Sequence, residues 1–224
     1  MAVYNGAQHL TQSIQSILNQ DYQDWELLIL DDHSIDHSIE IIGKFQDSRI
    51  RLLRNSTNLG LVAARNRIMD ESRGELLAWL DQDDLAAKIR LSTQVQFLES
   101  NSHISACGSF TETLIEQEGI PPKHRLEVLP TSHRDIRAAL LFLNPIACNT
   151  VTMRTQDFRE SNLRFRPEFG NSLDYDMWSQ ASDRLLFENI SHPLGAYRVH
   201  PHQTSKISSR NIHIYDQRHL QELI

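Results

Sequence analysis

Cysteine is scarce in this chain: two residues, Cys107 and Cys148, in 224. Their spacing suits neither a metal site nor a disulfide framework, so they are expected to be reduced, buried thiols of a cytoplasmic protein. Positive charge is also short. Lys and Arg number 22 against 29 Asp and Glu, a formal charge of −7, and no basic stripe runs along the chain. That excludes nucleic acid as a partner, because a phosphate backbone demands such a stripe; an anionic small ligand would need a metal ion or a few local arginines. No apolar stretch approaches the roughly 18 residues of a membrane span, and the N-terminus lacks the basic start and apolar core of a signal peptide. Peripheral association with the inner face of a membrane stays open. None of the eight glycines builds a phosphate-cradling loop ending in lysine, which disfavours nucleotidyl transfer through such a loop. No internal repeat or low-complexity linker divides the chain, and 40% hydrophobic residues are ample for one large core.

What is present is alternation. Trp25 to Leu30 is a nearly continuous apolar run of strand length, as expected of a strand covered on both faces, and it ends in Asp31-Asp32. Leu76 to Leu80 is a second such run, ending in Asp81-Gln82-Asp83-Asp84. Around them, helical spacing predicts one helix with Leu10, Ile14, Ile17 and Leu18, and another with Ile39, Ile42 and Phe45 behind a Ser34 cap. A third carries Leu61, Ala64 and Ile68, with Gly74 placed to close it at C′. Ile50 to Leu53 adds a strand. This alternation predicts βαβ units with right-handed crossovers and an α/β fold built on a mostly parallel, Rossmann-like sheet flanked by helices.

Residues 1–108 are therefore expected to form the nucleotide-binding half of a single domain, and 109–224 an irregular second half. In the latter the pattern predicts a strand over Ala106 to Thr113, an exposed loop from Glu116 to Pro130, a helix from Ser132 to Leu141 and a strand from Thr150 to Met153. The Arg-rich stretch Arg159 to Arg166 leads to Phe169-Gly170, a loop over a site. A helix over Tyr175 to Ala181, extended segments Leu185 to Ile190 and Ala196 to Arg198, and a terminal helix over Ile212 to Leu223 complete the expectation.

The two acidic strand ends carry the chemistry. In an open parallel sheet ligands bind beyond the carboxyl ends of the strands, so acids there face the ligand crevice. Carboxylates crowded at such a tip repel, and a hard cation, Mg²⁺ or Mn²⁺, relieves that by bridging one or two of them to substrate phosphates. The alternative is that both clusters cap the helices that follow.

The ordered motifs Tyr4-Asn5-Gly6, Asp31-Asp32-His33-Ser34, Asn58-Leu59-Gly60 with Ala64-Arg65-Asn66, Asp81-Gln82-Asp83-Asp84, Leu173-Asp174-Tyr175-Asp176-Met177-Trp178 and Tyr197-Arg198-Val199-His200 resemble family 2 glycosyltransferases over nearly the whole chain. The resemblance implies a GT-A fold, a nucleoside-diphosphate sugar donor, a glycan or lipid-linked acceptor bound by the second half, a divalent cation (Mn²⁺ or Mg²⁺) and inversion at the anomeric carbon. It puts Tyr4 against the nucleobase, Asp32 on the base or ribose, and Asn58, Gly60 and Arg65 near the nucleotide. Asp81 approaches the ribose or sugar, Asp83 and His200 hold the metal on the diphosphate, and Asp174 is the general base, with Asp176 its rival.

Three departures stand out. His33 occupies a usual glycine, so the turn after Asp32 is tighter or His33 adopts an uncommon backbone state. Leu173 replaces a glutamate. Only Met1, Ala2 and Val3 precede Tyr4, so the first strand is expected to be missing. A degenerate member that binds nucleotide or glycan without turnover is the alternative these departures raise.

Overall fold

A computed structural model describes residues 1–117, 120–200 and 203. Its first part runs β1 (Ala2–Val3), α1 (Leu10–Leu18), β2 (Leu27–Asp31), α2 (Ser38–Gly43), β3 (Ile50–Arg54) and α3 (Leu61–Glu71). The three strands pair in parallel, with β2 in the middle and every one of its residues buried. A strand covered by helices on both faces has no solvent side, which is why its sequence is a run of Leu and Ile without alternation.

The first strand, expected to be missing, is present as two residues. Leu30 N donates to Met1 O (2.9 Å), Asp32 N donates to Val3 O (2.7 Å), and the Met1 amino group donates to Leu28 O (2.8 Å). Ladder pairing needs only main-chain groups in register, and three residues supply enough to hold Tyr4 at the sheet's end. Ser34 does not cap α2. The helix begins at Ser38, whose N–H donates to Asp36 Oδ1 (3.0 Å), while the Ser34 hydroxyl accepts from Asn5 N (3.0 Å). Gly74 is not a C′ residue either, because α3 ends at Ser72 in extended conformation. A Cβ on Gly74 would lie 2.9 Å from Leu76 O, so close backbone approach explains this glycine.

The second part continues β4 (Leu76–Ala78), β5 (Leu85–Ala86), α4 (Arg90–Ser100), β6 (Ala106–Gln117), β7 (Ile120–Glu127), α5 (His133–Ala139), β8 (Thr152–Arg154), α6 (Thr155–Glu160), α7 (Leu173–Ala181) and β9 (Phe187–Val199). These strands form a mixed sheet in the order β4-β8-β6-β9-β5, with β7 added beside β6. The acidic runs after β2 and β4 therefore end strands of two sheets rather than one, since β4 pairs antiparallel with β8.

The exposed loop expected from Glu116 to Pro130 contains strand β7, antiparallel to β6. Pro121-Pro122 signalled a turn, but prolines fit a strand that pairs on one side only. The two extended segments expected near 185–190 and 196–198 are one strand of 13 residues, whose register slips against β6 around Phe110. The predicted strand at Thr150 begins at Thr152, after a 3₁₀ turn at Cys148–Thr150. The helix expected at 212–223 lies outside the described residues.

The core is anchored by Phe158, Trp178 and Phe187, each at most 2% exposed and packed with ring centroids 6.2–6.4 Å apart. Trp178 belongs to α7, so this cluster fixes the helix that begins at Leu173.

His33 has φ = 66°, the left-handed state that costs an L-residue roughly 1–2 kcal/mol. Glycine there avoids the Cβ clash but loses more chain entropy, roughly 0.5–1 kcal/mol. His33→Gly is accordingly expected to raise stability by a few tenths to about 1 kcal/mol in urea denaturation; a loss of stability would show that the imidazole compensates its own strain.

Candidate active site

The sheet ends converge on one open cleft of about 840 Å³. Its walls include Tyr4, Asp32, Asn58, Gly60, Arg65, Asp81, Asp83 and Asp174, so eight of the nine residues singled out from the sequence line a single cavity. The ninth, His200, stands directly behind Asp83.

At one end, Asp32 is 2% exposed and organises the turn opposite it. Its Oδ1 accepts from Leu59 N (2.9 Å) and Asn55 Nδ2 (2.6 Å), and its Oδ2 accepts from Gly60 N (2.7 Å). A carboxylate on two successive main-chain N–H groups is a charge-assisted clamp. Gly60, with φ = 86°, gives the backbone state this approach requires and leads straight into α3. Asp31, on the other side of the strand, is buried against Ser34 N (3.3 Å) and Arg54 Nε (3.1 Å) and does not line the cleft.

The acidic run after β4 is not a set of equivalent carboxylates. Asp81 Oδ1 accepts from Arg65 Nη2 at 2.9 Å, and Arg65, itself 5% exposed, also donates to Cys148 Sγ at 3.4 Å. Gln82 turns back to Tyr4 with a reciprocal pair: its Oε1 accepts from Tyr4 N (3.0 Å) and its Nε2 donates to Tyr4 O (3.2 Å). Asp83 Oδ2 lies 3.0 Å from His200 Nε2. Asp84 is 1% exposed and accepts from Arg198 N at 2.8 Å. Burial, followed by the Asp81 and Asp83 charges, pushes the Asp84 carboxyl well above its ordinary range, a shift toward its neutral form beside two other carboxylates.

His200 rests against His9, ring centroids 4.6 Å apart, and its buried Nδ1 finds no partner among the described residues. Asp83 and His200 form a carboxylate–imidazole pair that would suit a divalent cation such as Mn²⁺ if phosphate oxygens completed its ligand set. No group of three or more His, Cys, Asp or Glu gathers as a ligand set among the described residues, so an ion here would depend on such outside oxygens.

On the far wall, Asp174 opens α7 and accepts from Asn144 Nδ2 at 3.0 Å. Burial raises its pKa from the usual carboxylate value, and the Arg65 charge works against that rise. Asp176, two residues on, is fully buried outside the cleft. It accepts from Arg166 Nε (3.0 Å) and Gln180 Nε2 (2.8 Å). Leu173 is 3% exposed in the core, so the position before Asp174 turns inward.

Several residues here escaped the sequence reading. Gln82 was hidden among acids, Asn144 lay between a predicted helix and a predicted strand with no role assigned, and Cys148 passed as a plain buried thiol. Only Gln82, a neutral residue inside a run of carboxylates, gave any local signal.

The glycosyl transferase family 2 model matches residues 1–161. An uncharacterised glycosyltransferase of Haemophilus influenzae is 35% identical over 215 residues, 92% of this chain and 66% of that protein, so the chain spans just under two thirds of this relative. The UDP-Glc:alpha-D-GlcNAc-diphosphoundecaprenol beta-1,3-glucosyltransferase WfaP of Escherichia coli is 29% identical over 202 residues, 89% of this chain and 76% of that protein. Among solved structures, the mannosyltransferase PcManGT from Pyrobaculum calidifontis in complex with GDP-Man and Mn²⁺ superposes with a TM-score of 0.69 at 17% identity, covering 94% of this chain and 59% of that one. With the cleft built by the ordered motifs and with the family model spanning residues 1–161, the chain belongs to glycosyl transferase family 2 and has the GT-A fold.

Proposed function

We propose that this chain transfers a sugar from a nucleoside-diphosphate donor to a hydroxyl of a glycan or lipid-linked acceptor, with inversion at the anomeric carbon. The observation that carries this reading is the division of the cleft: the Asp32 turn and the acidic tip form one wall, and the start of α7 presents Asp174, while the other carboxylate of the lining, Glu127, is taken by Thr113 and Arg125. The names of two relatives lend weight, since one acts on a diphosphoundecaprenol-linked sugar and the other is bound to GDP-Man with Mn²⁺. A lipid-linked acceptor would bring the protein to the inner face of a membrane. No helix among the described residues is long and apolar enough to cross one.

In this reading Tyr4, its main chain pinned by Gln82, stacks on the nucleobase. Asp32 and the Asn58–Gly60 turn hold the base and ribose, and the Asp81 carboxylate, oriented by Arg65, takes the ribose or sugar hydroxyls. Asp83 and His200 would hold a divalent cation, which would supply Lewis-acid neutralisation of the leaving diphosphate. The acceptor oxygen attacks the anomeric carbon on the face away from the diphosphate. As the new C–O bond forms, the bond from that carbon to the diphosphate oxygen breaks, the acceptor proton passes to Asp174, and the nucleoside diphosphate departs with the electron pair. Asp176 does not compete for this role because Arg166 and Gln180 already occupy it.

Donor binding is tested by thermal shift with UDP and GDP, each with and without Mn²⁺, because a ligand of the native state raises Tm by mass action. The nucleotide shift is expected to need Mn²⁺ and to vanish in Asp83→Ala. An equal shift in excess EDTA would remove Asp83 from metal binding.

The base is tested by kinetics. Asp174→Asn is expected to lower kcat by about 10² to 10⁴ while nucleotide and Mn²⁺ affinity stay within a few-fold, as for an interaction made mainly in the transition state. Asp174 must be ionised to accept a proton, and burial raises its pKa. Wild-type kcat/KM should therefore fall with decreasing pH through a value above the ordinary carboxylate range. Asp176→Asn should instead lower stability by about 1–3 kcal/mol, the cost of spoiling a charged hydrogen-bonded pair. Near wild-type turnover in Asp174→Asn would end the assignment.

A further inference from the structure

Asn144 is the one side chain outside α7 that the structure bonds to the Asp174 carboxylate among the described residues. The amide is used at both ends: Ile146 N donates to Asn144 Oδ1 at 3.2 Å, and Asn144 Nδ2 donates to Asp174 Oδ2 at 3.0 Å. A main-chain N–H can only donate, so the amide oxygen must face Ile146 and the NH₂ must face the carboxylate. Asn144 therefore cannot flip without losing both bonds.

The backbone around it is equally constrained. The following proline disfavours helical conformation at Asn144. Pro145 O accepts from Asn189 Nδ2 at 3.0 Å, and the same amide donates to Pro130 O at 2.7 Å, so the buried Asn189 on β9 pins the segment to the mixed sheet. On the neighbouring helix the Tyr175 hydroxyl, next to Asp174 in sequence, donates to Leu140 O. Two ties thus join the stretch after α5 to the first turn of α7, one through the main chain of Leu140 and the other through the carboxylate itself.

We propose that Asn144 is a positioning residue that fixes the orientation of the Asp174 carboxylate and favours its ionised form, so that the base is ready at neutral pH. This inference rests on the assignment of Asp174 as base. A neutral amide N–H donating to a carboxylate stabilises the charge without cancelling it, which suits a group that must give up its charge when it takes the acceptor proton. The groups facing Asp174 from elsewhere set the background: Arg65 from α3 favours ionisation, Asp81 from the acidic tip opposes it, and the Cys148 thiol adjoins Arg65 from the 3₁₀ turn. The Tyr175 main-chain N–H adds a bond from the helix start. Arg65 is already shared with Asp81 and Cys148, which leaves the Asn144 NH₂ as the side-chain donor directed at Asp174.

The test is a direct titration of Asp174 by ¹³C NMR in aspartate-labelled, nucleotide-free protein, with Asp174→Asn providing the assignment. Asn144→Leu preserves approximate shape and removes the donor. Its Asp174 midpoint is expected to rise by about one pH unit, a tenfold change in the ionisation constant. Asn144→Asp keeps an oxygen for Ile146 N and adds a like charge, so it should raise the midpoint further. In parallel, kcat is measured against pH with whichever of UDP-glucose, UDP-GlcNAc or GDP-mannose gives the largest thermal shift. In Asn144→Leu the acid limb should move up by the same unit, with kcat about 5-fold lower at the wild-type midpoint, approaching about 10-fold at lower pH and recovering on the alkaline side, while donor KM stays within about two-fold.

Unchanged midpoints in both variants would overturn the proposal, as would a kcat loss uniform across pH, the mark of a merely structural role. Full turnover in Asp174→Asn would fault the base assignment and this inference with it. An inactive Asp174→Asn beside unshifted Asn144 variants would fault the inference alone.

Discussion

Four charged or polar residues in a row at Asp81-Gln82-Asp83-Asp84 impose the constraint on which the site depends: carboxylates crowded at a strand end in an acidic protein must each be offset, and each in a different way. Asp81 takes a buried guanidinium, Asp83 a histidine, and Asp84 a main-chain N–H, while burial and the neighbouring carboxylates raise the Asp84 pKa. Because the partners differ, the chemistry left to each differs. Asp84 is used up in holding the run in place, Asp81 keeps one oxygen beyond its arginine, and Asp83 shares its corner with an imidazole. Gln82 supplies the neutral link that ties this run to the main chain of Tyr4.

Those partners come from distant parts of the chain, and they join the two sheets. Arg65 rises from α3, beside the parallel sheet. Arg198 lies at the end of β9 and is only 2% exposed; it donates through its main chain to Asp84, through Nε to Asp83 O (2.8 Å) and through Nη2 to Gln12 on α1 (2.6 Å). A buried arginine with every arm engaged tolerates little displacement, since each bond lost leaves a costly unsatisfied group. The small parallel sheet and the large mixed one therefore meet through polar groups at the site. Elsewhere the apolar core fixes their packing.

The far wall follows a different logic. Helix α7 is held from beneath by Trp178 against Phe158 and Phe187, which sets where its first turn emerges. Asp174 and Asp176 lie on that turn but face different surroundings. One meets the cleft and an amide, the other is buried and pairs with the part-exposed Arg166. Two carboxylates separated by one residue on a helix point roughly 200° apart around its axis, so only one could face the substrate.

Much of this architecture was legible in the sequence because its signals are local. An all-apolar run ending in acids marks a doubly covered strand aimed at a ligand crevice, and it located β2 and β4 together with Asp32, Asp81 and Asp83. Periodic apolar residues likewise located α1, α2 and α3. What the sequence left open depended on pairing between distant segments. Strand β7 was masked by two prolines because edge position is a property of the sheet. The departure of β4 from the parallel sheet depended on β8, some 75 residues away in the chain. Asp174 and Asp176 were indistinguishable as letters, since burial and the reach of Arg166 decide between them. By itself the sequence determined which residue types stand at the ends of which elements, because spacing and side-chain chemistry are written in order along the chain. Only the tertiary structure decided which carboxylate meets which partner, because hydrogen bonds such as those of Asp83 with His200 and Asp174 with Asn144 span 117 and 30 residues and exist only once both sheets have closed around the cleft.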